Sequence, residues 1–181
     1  MNKILTIIII FLSTSVLSAN ERDAKLDKLF MELKTNITSS SPMIAQQIWT
    51  LWSTHPTDEK LTSILDEGSR LVQDRQLARA INIFTEVIKL DPTWAEAWNK
   101  RATVFYMVGE FKRSQDDIDK VLELEKRHFG ALAGQGMVNI QLKNYDKAKR
   151  SYQKVQEIYP AMKSPKVMIE QIEELIKRQS I

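Results

Sequence analysis

The sequence predicts an all-α protein built from stacked pairs of antiparallel helices. Composition is the first reason. With 5 Gly and 5 Pro in 181 residues there are few helix breakers, and 43% hydrophobic with 27% charged residues is typical of a globular chain. The second reason is an internal period of 34 residues, since Leu90-Asp91-Pro92 returns in altered form as Leu124-Glu125-Lys126 and as Ile158-Tyr159-Pro160. The period predicts three helical hairpins, at 61–94, 95–128 and 129–162.

Residues 1–19 are expected to be a signal peptide for export. Lys3 supplies the positive start, Ile4–Leu12 is a mostly apolar run, and small residues lead to two candidate cleavage sites, after Ser18 and after Ala19. The apolar run is about half as long as the roughly 20 residues that a membrane span needs, so cleavage is favoured over a lasting anchor. We therefore expect an exported protein, periplasmic or secreted, without stable membrane insertion after cleavage.

Residues 20–60 are expected to form a helical hairpin that precedes the repeats and covers their open end. Apolar residues on one face predict its first helix, and a Ser-Pro start before further apolar residues predicts its second. These apolar positions are Leu26, Leu29, Phe30 and Leu33, then Ile44, Ile48, Trp49, Leu51 and Trp52. The Asn36-Ile37-Thr38 triplet between the helices is interpreted as an incidental glycosylation sequon.

The first helix of each unit carries a large apolar residue, a small residue four later and a third residue three further on, all on one face. The small residue lets the two helices of a hairpin cross closely. The triplets are Ile64, Gly68 and Leu71, then Trp98, Ala102 and Phe105, then Leu132, Gly136 and Asn139. Asn139 is polar where an apolar residue is expected, so we predict the weakest packing there, with Ile140 taking over part of the contact.

The second helices keep one register in all three units. Their shared positions are Ala80, Ser114 and Ala148, then Phe84, Ile118 and Tyr152, then Val87, Val121 and Val155. Pro92 and Pro160 end the second helices of the first and third units, whereas Lys126 stands at that place in the middle unit. We therefore expect a softer or more continuous join between units two and three. Residues 163–181 are predicted to form a capping helix, because a Ser-Pro start precedes apolar residues at helical spacing.

The three registered units resemble the tetratricopeptide repeat family, and the resemblance covers roughly 100 residues. It implies a right-handed superhelix whose first helices line a concave groove that binds a protein or peptide. The groove residues that it implies are Ser69, Val72, Gln73, Asn99, Thr103, Tyr106, Met107, Met137 and Gln141, with Leu65, Ala133 and Ile140 beside them. This mostly neutral lining suits a peptide with apolar side chains, although Tyr106 and Met107 would serve equally well to pack neighbouring hairpins.

One branch of this family holds the carboxylate tail of chaperones with Lys, Asn and Arg side chains from three units. The matching positions here are Leu65, Ser69, Lys100, Gly130 and Gly134, and none keeps the clamp residue. A chaperone tail is therefore not the expected partner. The adjacent pair Lys100-Arg101 could still attract an acidic group, but it is interpreted as a solvated or snorkelling basic face.

Other functions have little support in the sequence. A net charge of +3, from 26 basic and 23 acidic residues scattered along the chain, is unlike the clustered patch of a nucleic-acid-binding protein. No Cys and only 2 His leave few soft metal ligands, and no cofactor is expected. His128 is interpreted as a surface or turn residue, and the Gly134-Gln135-Gly136 segment lacks the context of a phosphate-binding loop.

We therefore expect a non-enzymatic interaction module or scaffold of the cell envelope or periplasm, as a monomer or weak homo-oligomer. No catalytic residue is assigned, because no nucleophile, base or paired acid has a partner at a suitable spacing. The alternative is a self-assembling structural protein, in which Trp49 and Trp52 of one copy pack on the open end of another.

Overall fold

The computed structural model describes residues 21–35 and 39–179, and every regular element in these two ranges is an α-helix. The helices of these ranges are α1 (21–35), α2 (Ser41–Ser53), α3 (Glu59–Gln73), α4 (Leu77–Leu90), α5 (Ala95–Met107), α6 (Phe111–Leu124), α7 (Phe129–Gln141), α8 (Tyr145–Ile158) and α9 (Ser164–Gln179). The prediction of an all-α fold is confirmed. The expected signal peptide and the Asn36-Ile37-Thr38 triplet lie outside the described residues.

Three helical hairpins form the centre of the molecule. Helix α3 packs against α4, α5 against α6 and α7 against α8, while neighbouring hairpins meet through α4 with α5 and through α6 with α7. Helix α9 packs on α8 and so caps the last hairpin. This order gives the right-handed superhelix of paired helices that the sequence predicts.

Each hairpin turn contains one residue in the left-handed backbone region. In the middle turn it is Gly109, with φ of 79°, and the equivalent residues Arg75 and Lys143 have φ of 58° and 59°. The amide of the next residue donates to a carbonyl five residues back at 2.8 Å in all three turns. This hydrogen bond and the left-handed residue make each turn a Schellman motif, which satisfies carbonyls at the end of the first helix.

Gly68 and Gly136 lie where the two helices of their hairpins cross. A Cβ atom added at Gly68 would come within 2.9 Å of the Phe84 ring, and one added at Gly136 within 2.7 Å of Tyr152 Cζ. Both rings are buried. The close approach of the helices therefore depends on the missing side chains.

Asn139 is a well-satisfied core residue, so the expectation of weak packing there is wrong. Its Nδ2 donates to Gln115 Oε1 and to the carbonyl of Gln135, both at 2.7 Å. Ser151 Oγ extends the network by donating to Gln135 Oε1 at 2.8 Å. Ile140 packs half-buried beside Tyr152 and does not replace Asn139. Buried polar side chains stabilise a core when every member has a partner.

The join between units two and three is as sharp as the join before it, which contradicts the expected softer or more continuous link. Glu125 after α6 has φ −139° and ψ 97°, nearly the values of Asp91 after α4. The Glu125 carboxylate accepts from Arg127 Nε and Nη2 at 3.0 Å, and from the Arg127 amide at 2.9 Å. These hydrogen bonds fix the turn without a proline.

The hairpin of α1 and α2 packs on the third unit, so its expected place over the open end of the first unit is wrong. Its buried apolar face shares one core with Phe129, Leu132, Val155 and Tyr159. Arg127 Nη1 also donates to Asp27 Oδ1 on α1 at 2.6 Å. The hairpin lies there because the start of α7 and the end of α8 supply the apolar partners of its inner face.

Trp49 and Trp52 of α2 pack within their own chain. Trp52 is 4% exposed and stacks on His128, with ring centroids 3.9 Å apart. Trp49 meets Phe129 edge-on at 5.4 Å. The self-assembly alternative needs these two rings for another copy, and the chain uses them itself.

Candidate functional site

The inner faces of α3, α5 and α7 line three linked pockets. The first pocket, of about 330 Å³, lies between α3 and α5, the second, of about 80 Å³, between α5 and α7, and the third, of about 440 Å³, beside α7, α8 and α9. Asn99 and Thr103 line the first and second pockets, while Tyr106 and Met137 line the second and third. Because neighbouring pockets share residues, they form one groove.

The structure brings most of the predicted groove residues to these pockets. Ser69, Val72 and Gln73 line the first pocket, Asn99 and Thr103 the first and second, Tyr106 and Met137 the second and third, and Gln141 the third. Met107 ends α5 and is 41% exposed, but it lines none of the three. Leu65 is fully buried in the core with Phe84. Ala133 and Ile140 line the third pocket.

Trp49 is the groove residue that sequence reasoning missed. It lines the first pocket, and its ring lies so close to Gly130 that an added Cβ would come within 2.8 Å of Trp49 Cζ2. The signal in the sequence was Gly130 itself, a position without a side chain near the start of α7. Met162 and Met168, which line the third pocket, were also missed, because Met162 is the last residue of the third unit and Met168 follows it, outside the first helices that were searched.

At the positions of the carboxylate clamp the side chains are buried, covered or missing, so these positions do not suit a carboxylate tail. Leu65 is buried, Gly130 is covered by Trp49, and Gly134 offers no side chain. Lys100 Nζ lies 3.6 Å from the Oε1 atom of the buried Glu96. These positions therefore do not form the carboxylate clamp of that branch.

Glu96 and His128 form a buried polar cluster behind the first pocket. His128 Nδ1 accepts from the Ala131 amide at 3.1 Å, so its Nε2–H donates to Glu96 Oε2, also at 3.1 Å. Asn99 Nδ2 donates to the same carboxylate oxygen at 3.0 Å. His128 does stand in the turn before α7, but it is fully buried under Trp52, so the surface interpretation is wrong.

Arg101 is part of a buried ion pair, which corrects its interpretation as a solvated residue. Its Nε and Nη2 donate to the two carboxylate oxygens of Asp117, both at 2.8 Å, and Nη1 donates to Thr85 Oγ1 at 3.0 Å. The Arg101 side chain is 15% exposed and that of Asp117 is 6% exposed. The bidentate contact joins α5 to α6, and the hydrogen bond to Thr85 adds α4, so Arg101 connects three consecutive helices.

The second and third pockets are uncharged. Within the described chain, no Asp, Glu, Lys, Arg or His lines either of them. Burial raises the pKa of Tyr152 to about 12, with the charge of Tyr106 adding to the shift, so the Tyr152 phenol is neutral at ordinary pH. Met137, Met162 and Met168 give the third pocket flexible apolar walls.

Replacing Gly130 by alanine is expected to push Trp49 away from the groove. The added Cβ would collide with the Trp49 ring, and because that ring is only half-buried we expect it to shift toward solvent. We expect a shift of tryptophan emission to longer wavelength and a loss of about 1–2 kcal/mol in the free energy of unfolding. The shift should vanish in a Trp49→Phe background, and a shift that persists there would contradict the contact.

Comparison with known proteins shows what this architecture is similar to. The model of the tetratricopeptide repeat matches residues 130–162, which contain α7 and α8 almost entirely. A TPR repeat-containing protein from Rhizobium etli is 28% identical over 151 residues, covering 83% of this chain and 74% of that relative. The chain is therefore similar to tetratricopeptide repeat proteins, and residues 130–162 match one such repeat. Human sperm-associated antigen 1 is 26% identical over 121 residues, which cover 66% of this chain and 13% of that longer relative.

A solved structure gives the same tetratricopeptide repeat fold. The first TPR of Spaghetti (RPAP3), bound to the HSP90 peptide SRMEEVD, superposes with a TM-score of 0.64 at 18% identity. The match covers 66% of this chain and 94% of that one.

Two further features of the described residues bear on the site. None of their helices is both long and apolar enough to cross a membrane. The same residues contain no group of three or more His, Cys, Asp or Glu side chains placed to hold a metal ion.

Proposed function

We propose that this protein is a non-enzymatic interaction module that binds an apolar peptide segment of another protein in the groove along α3, α5, α7 and α9. The observation that carries the proposal is the uncharged lining of the second and third pockets. Apolar pockets with a few polar groups at their edges are typical of ligand sites. The volume of the third pocket, about 440 Å³, is ample for large aliphatic side chains.

The polar groups of the groove suit a peptide backbone. Asn99 lies between the first and second pockets, and Gln141 lines the third. Their amides offer both donors and acceptors, so they are suited to fix the main chain of a bound segment while the pockets receive its side chains.

Peptide binding by this fold has a precedent among solved structures, since the first TPR of Spaghetti carries an HSP90 peptide. The mode proposed here is different. The covered Gly130 and the buried Leu65 leave no carboxylate clamp, so the internal apolar side chains of the partner provide the affinity, and a free C-terminus is not required.

The proposed place of action is the cell envelope or periplasm. Support comes from the start of the sequence, where Lys3 and the apolar run Ile4–Leu12 are typical of an export signal. In that compartment the protein would scaffold or stabilise a complex as a monomer, since Trp49 and Trp52 already pack within the chain.

Photocrosslinking in intact cells tests the groove. A photoreactive residue at Thr103, which is exposed and lines two pockets, should capture the partner. The same residue at Asp116, exposed on α6, should not. Capture from Asp116 alone would place the partner on another face.

A pair of variants makes this experiment sharper. Met137 and Met107 are both 41% exposed, but only Met137 lines the groove. Met137→Asp should abolish capture from Thr103, because it places a charge between two apolar pockets. Met107→Asp should leave capture unchanged. Equal capture by the two variants would show that the groove does not hold the partner.

A further inference from the structure

The three hairpin turns lie along one edge of the molecule. Because the helices alternate in direction, the turns within the hairpins share this edge, and the joins between units lie on the opposite one. The turn edge consists of 74–79, 108–113 and 142–147. The join edge consists of 89–94, 123–128 and 157–162. The segments of each edge are equivalent, since they are 34 residues apart.

The turn edge is the basic side of the repeats. Each of its three segments carries two basic residues and one acidic residue. The basic residues are Arg75, Arg79, Lys112, Arg113, Lys143 and Lys147, and the acidic residues are Asp74, Glu110 and Asp146. The join edge, which has the same length, carries three basic and four acidic residues, namely Lys89, Lys126 and Arg127, and Asp91, Glu123, Glu125 and Glu157. Positive charge is therefore concentrated on one edge.

The protein itself leaves most of the turn-edge cations unpaired. Arg113 Nη1 donates to Glu110 Oε2 at 3.0 Å, and both side chains are about half-exposed. None of the other five basic side chains forms an ion pair with any residue that the structure describes. Unpaired cations grouped on one side of a protein attract negatively charged partners.

An open concavity of about 450 Å³ lies on the third turn. Lys143, Lys147 and Arg150 line it, and Asp146 is the acidic residue among them. The concavity borders the N-terminal end of α8, where the helix dipole also favours negative charge. A phosphate group suits this end of the turn edge.

Exposed apolar side chains stand among the same cations. Val108 and Leu142 occupy equivalent positions, directly after α5 and α7, and are 42% and 40% exposed. Cations that contact lipid phosphates, together with apolar side chains that enter the headgroup layer, are typical of proteins that bind at the surface of a membrane. The turn edge combines both features.

We propose that the turn edge docks on the surface of an anionic phospholipid bilayer. The basic side chains contact lipid phosphates, and Val108 and Leu142 enter the headgroup layer. A bilayer offers phosphates along its whole surface, so it contacts all three turns at once without a specific register. An acidic protein would have to match the spacing of the turns and also cover the two apolar side chains.

This surface goes beyond the proposed peptide groove. The groove is lined by the inner faces of α3, α5 and α7, whereas the turn edge lies at the ends of these helices. Docking through the turn edge leaves the groove free to hold a peptide at the membrane surface.

Vesicle flotation tests the proposal. The protein is mixed with vesicles of phosphatidylcholine alone, or of equal parts of phosphatidylcholine and phosphatidylglycerol. We expect much tighter binding to the vesicles that contain phosphatidylglycerol, and weaker binding as salt is added, because salt screens charges. The variants keep the N-terminus of the unmodified protein, so any contribution of the apolar run Ile4–Leu12 is equal in all of them.

Two double variants with the same change in net charge separate the turn edge from the overall charge. Lys112→Glu with Lys147→Glu reverses two cations of the turn edge and should weaken binding at least about tenfold. Lys89→Glu with Lys126→Glu reverses two exposed lysines of the join edge, and should change binding by no more than about twofold because screening limits the reach of these charges.

A fluorescent label reads the contact with the headgroup layer, and its site is unique because the chain has no Cys. A nitrobenzoxadiazole label on Leu142→Cys should shift its emission to shorter wavelength when vesicles with phosphatidylglycerol are added. The same label on Leu90→Cys should not shift, since Leu90 is 65% exposed but lies on the join edge.

The proposal is overturned if both kinds of vesicle bind equally, if the two double variants weaken binding alike, or if the two labels respond alike. Binding of polyglutamate that is lost in the turn-edge variant, without binding to vesicles, would also overturn it and assign the edge to an acidic protein. Capture at Thr103 is read independently, so failure of this surface leaves the proposed function standing.

Discussion

Replacing Gly136 by alanine is expected to lower the free energy of unfolding by about 2 kcal/mol. The new Cβ would fall within 2.7 Å of Tyr152 Cζ, and Tyr152 is held between α7 and α9 with 4% of its surface exposed. Ile172, which is fully buried, packs in the same cluster as this ring and limits its movement away from α7. Urea unfolding followed by helical circular dichroism measures the change.

Gly134→Ala in the same helix is the control, and its effect should have the opposite sign. An added Cβ there meets Ile118 Cδ1 at 3.5 Å, an ordinary contact. Alanine favours the helix over glycine, so we expect a gain of about 0.5–1 kcal/mol. If Gly136→Ala also raised the free energy of unfolding, helix propensity would outweigh the predicted collision and the helix-crossing explanation would be wrong.

Replacing Asp117 by alanine should destabilise the protein by about 3 kcal/mol. The change leaves the Arg101 guanidinium buried among α4, α5 and α6 without its bidentate partner. The same urea experiment gives the loss. Adding Arg101→Met to Asp117→Ala should recover much of it, because the double variant buries no unpaired charge.

Glu123→Ala supplies the comparison for Asp117→Ala. Its carboxylate pairs with Lys120 at 2.8 Å, but the two side chains are 67% and 37% exposed. Exposed pairs contribute at most about 1 kcal/mol, so this change should be small. Similar losses from Glu123→Ala and Asp117→Ala would mean that the Arg101 contact is not the buried pair described above.

The repeat architecture was predictable because its determinants are local and recur. Spacing alone identifies Gly68 and Gly136 as crossing points, since a small residue at one place in each unit has a simple steric reason. The groove positions came from the family resemblance applied to these units, and Thr103 and Met137 line the second pocket as that resemblance implies. Met107 was predicted to line the groove but lines none of its pockets. It is the last residue of α5, and at the end of a helix the repeat register no longer predicts the direction of a side chain.

The wrong predictions about the N-terminal hairpin and about Asn139 have a different cause. Periodicity says which face of a helix is buried but not which surface covers it, so α2 gave no sign that its tryptophans would lie on His128. Composition likewise says that Asn139 is polar, but not that Gln115 and Gln135 stand within hydrogen-bond reach. Both outcomes depend on residues far apart in sequence, which no single-helix pattern records.

The packing of the N-terminal hairpin on the third unit affects how the chain folds. Stacked repeats contact mainly their sequence neighbours and can unfold from the ends inward, one unit at a time. The contact of Asp27 with Arg127 spans 100 positions and closes the array into a loop. The N-terminal hairpin is synthesised first, but its apolar face stays uncovered until the last repeat has been made. Contacts between residues so far apart in sequence slow folding. We therefore expect the closed array to unfold as a single cooperative body and not unit by unit.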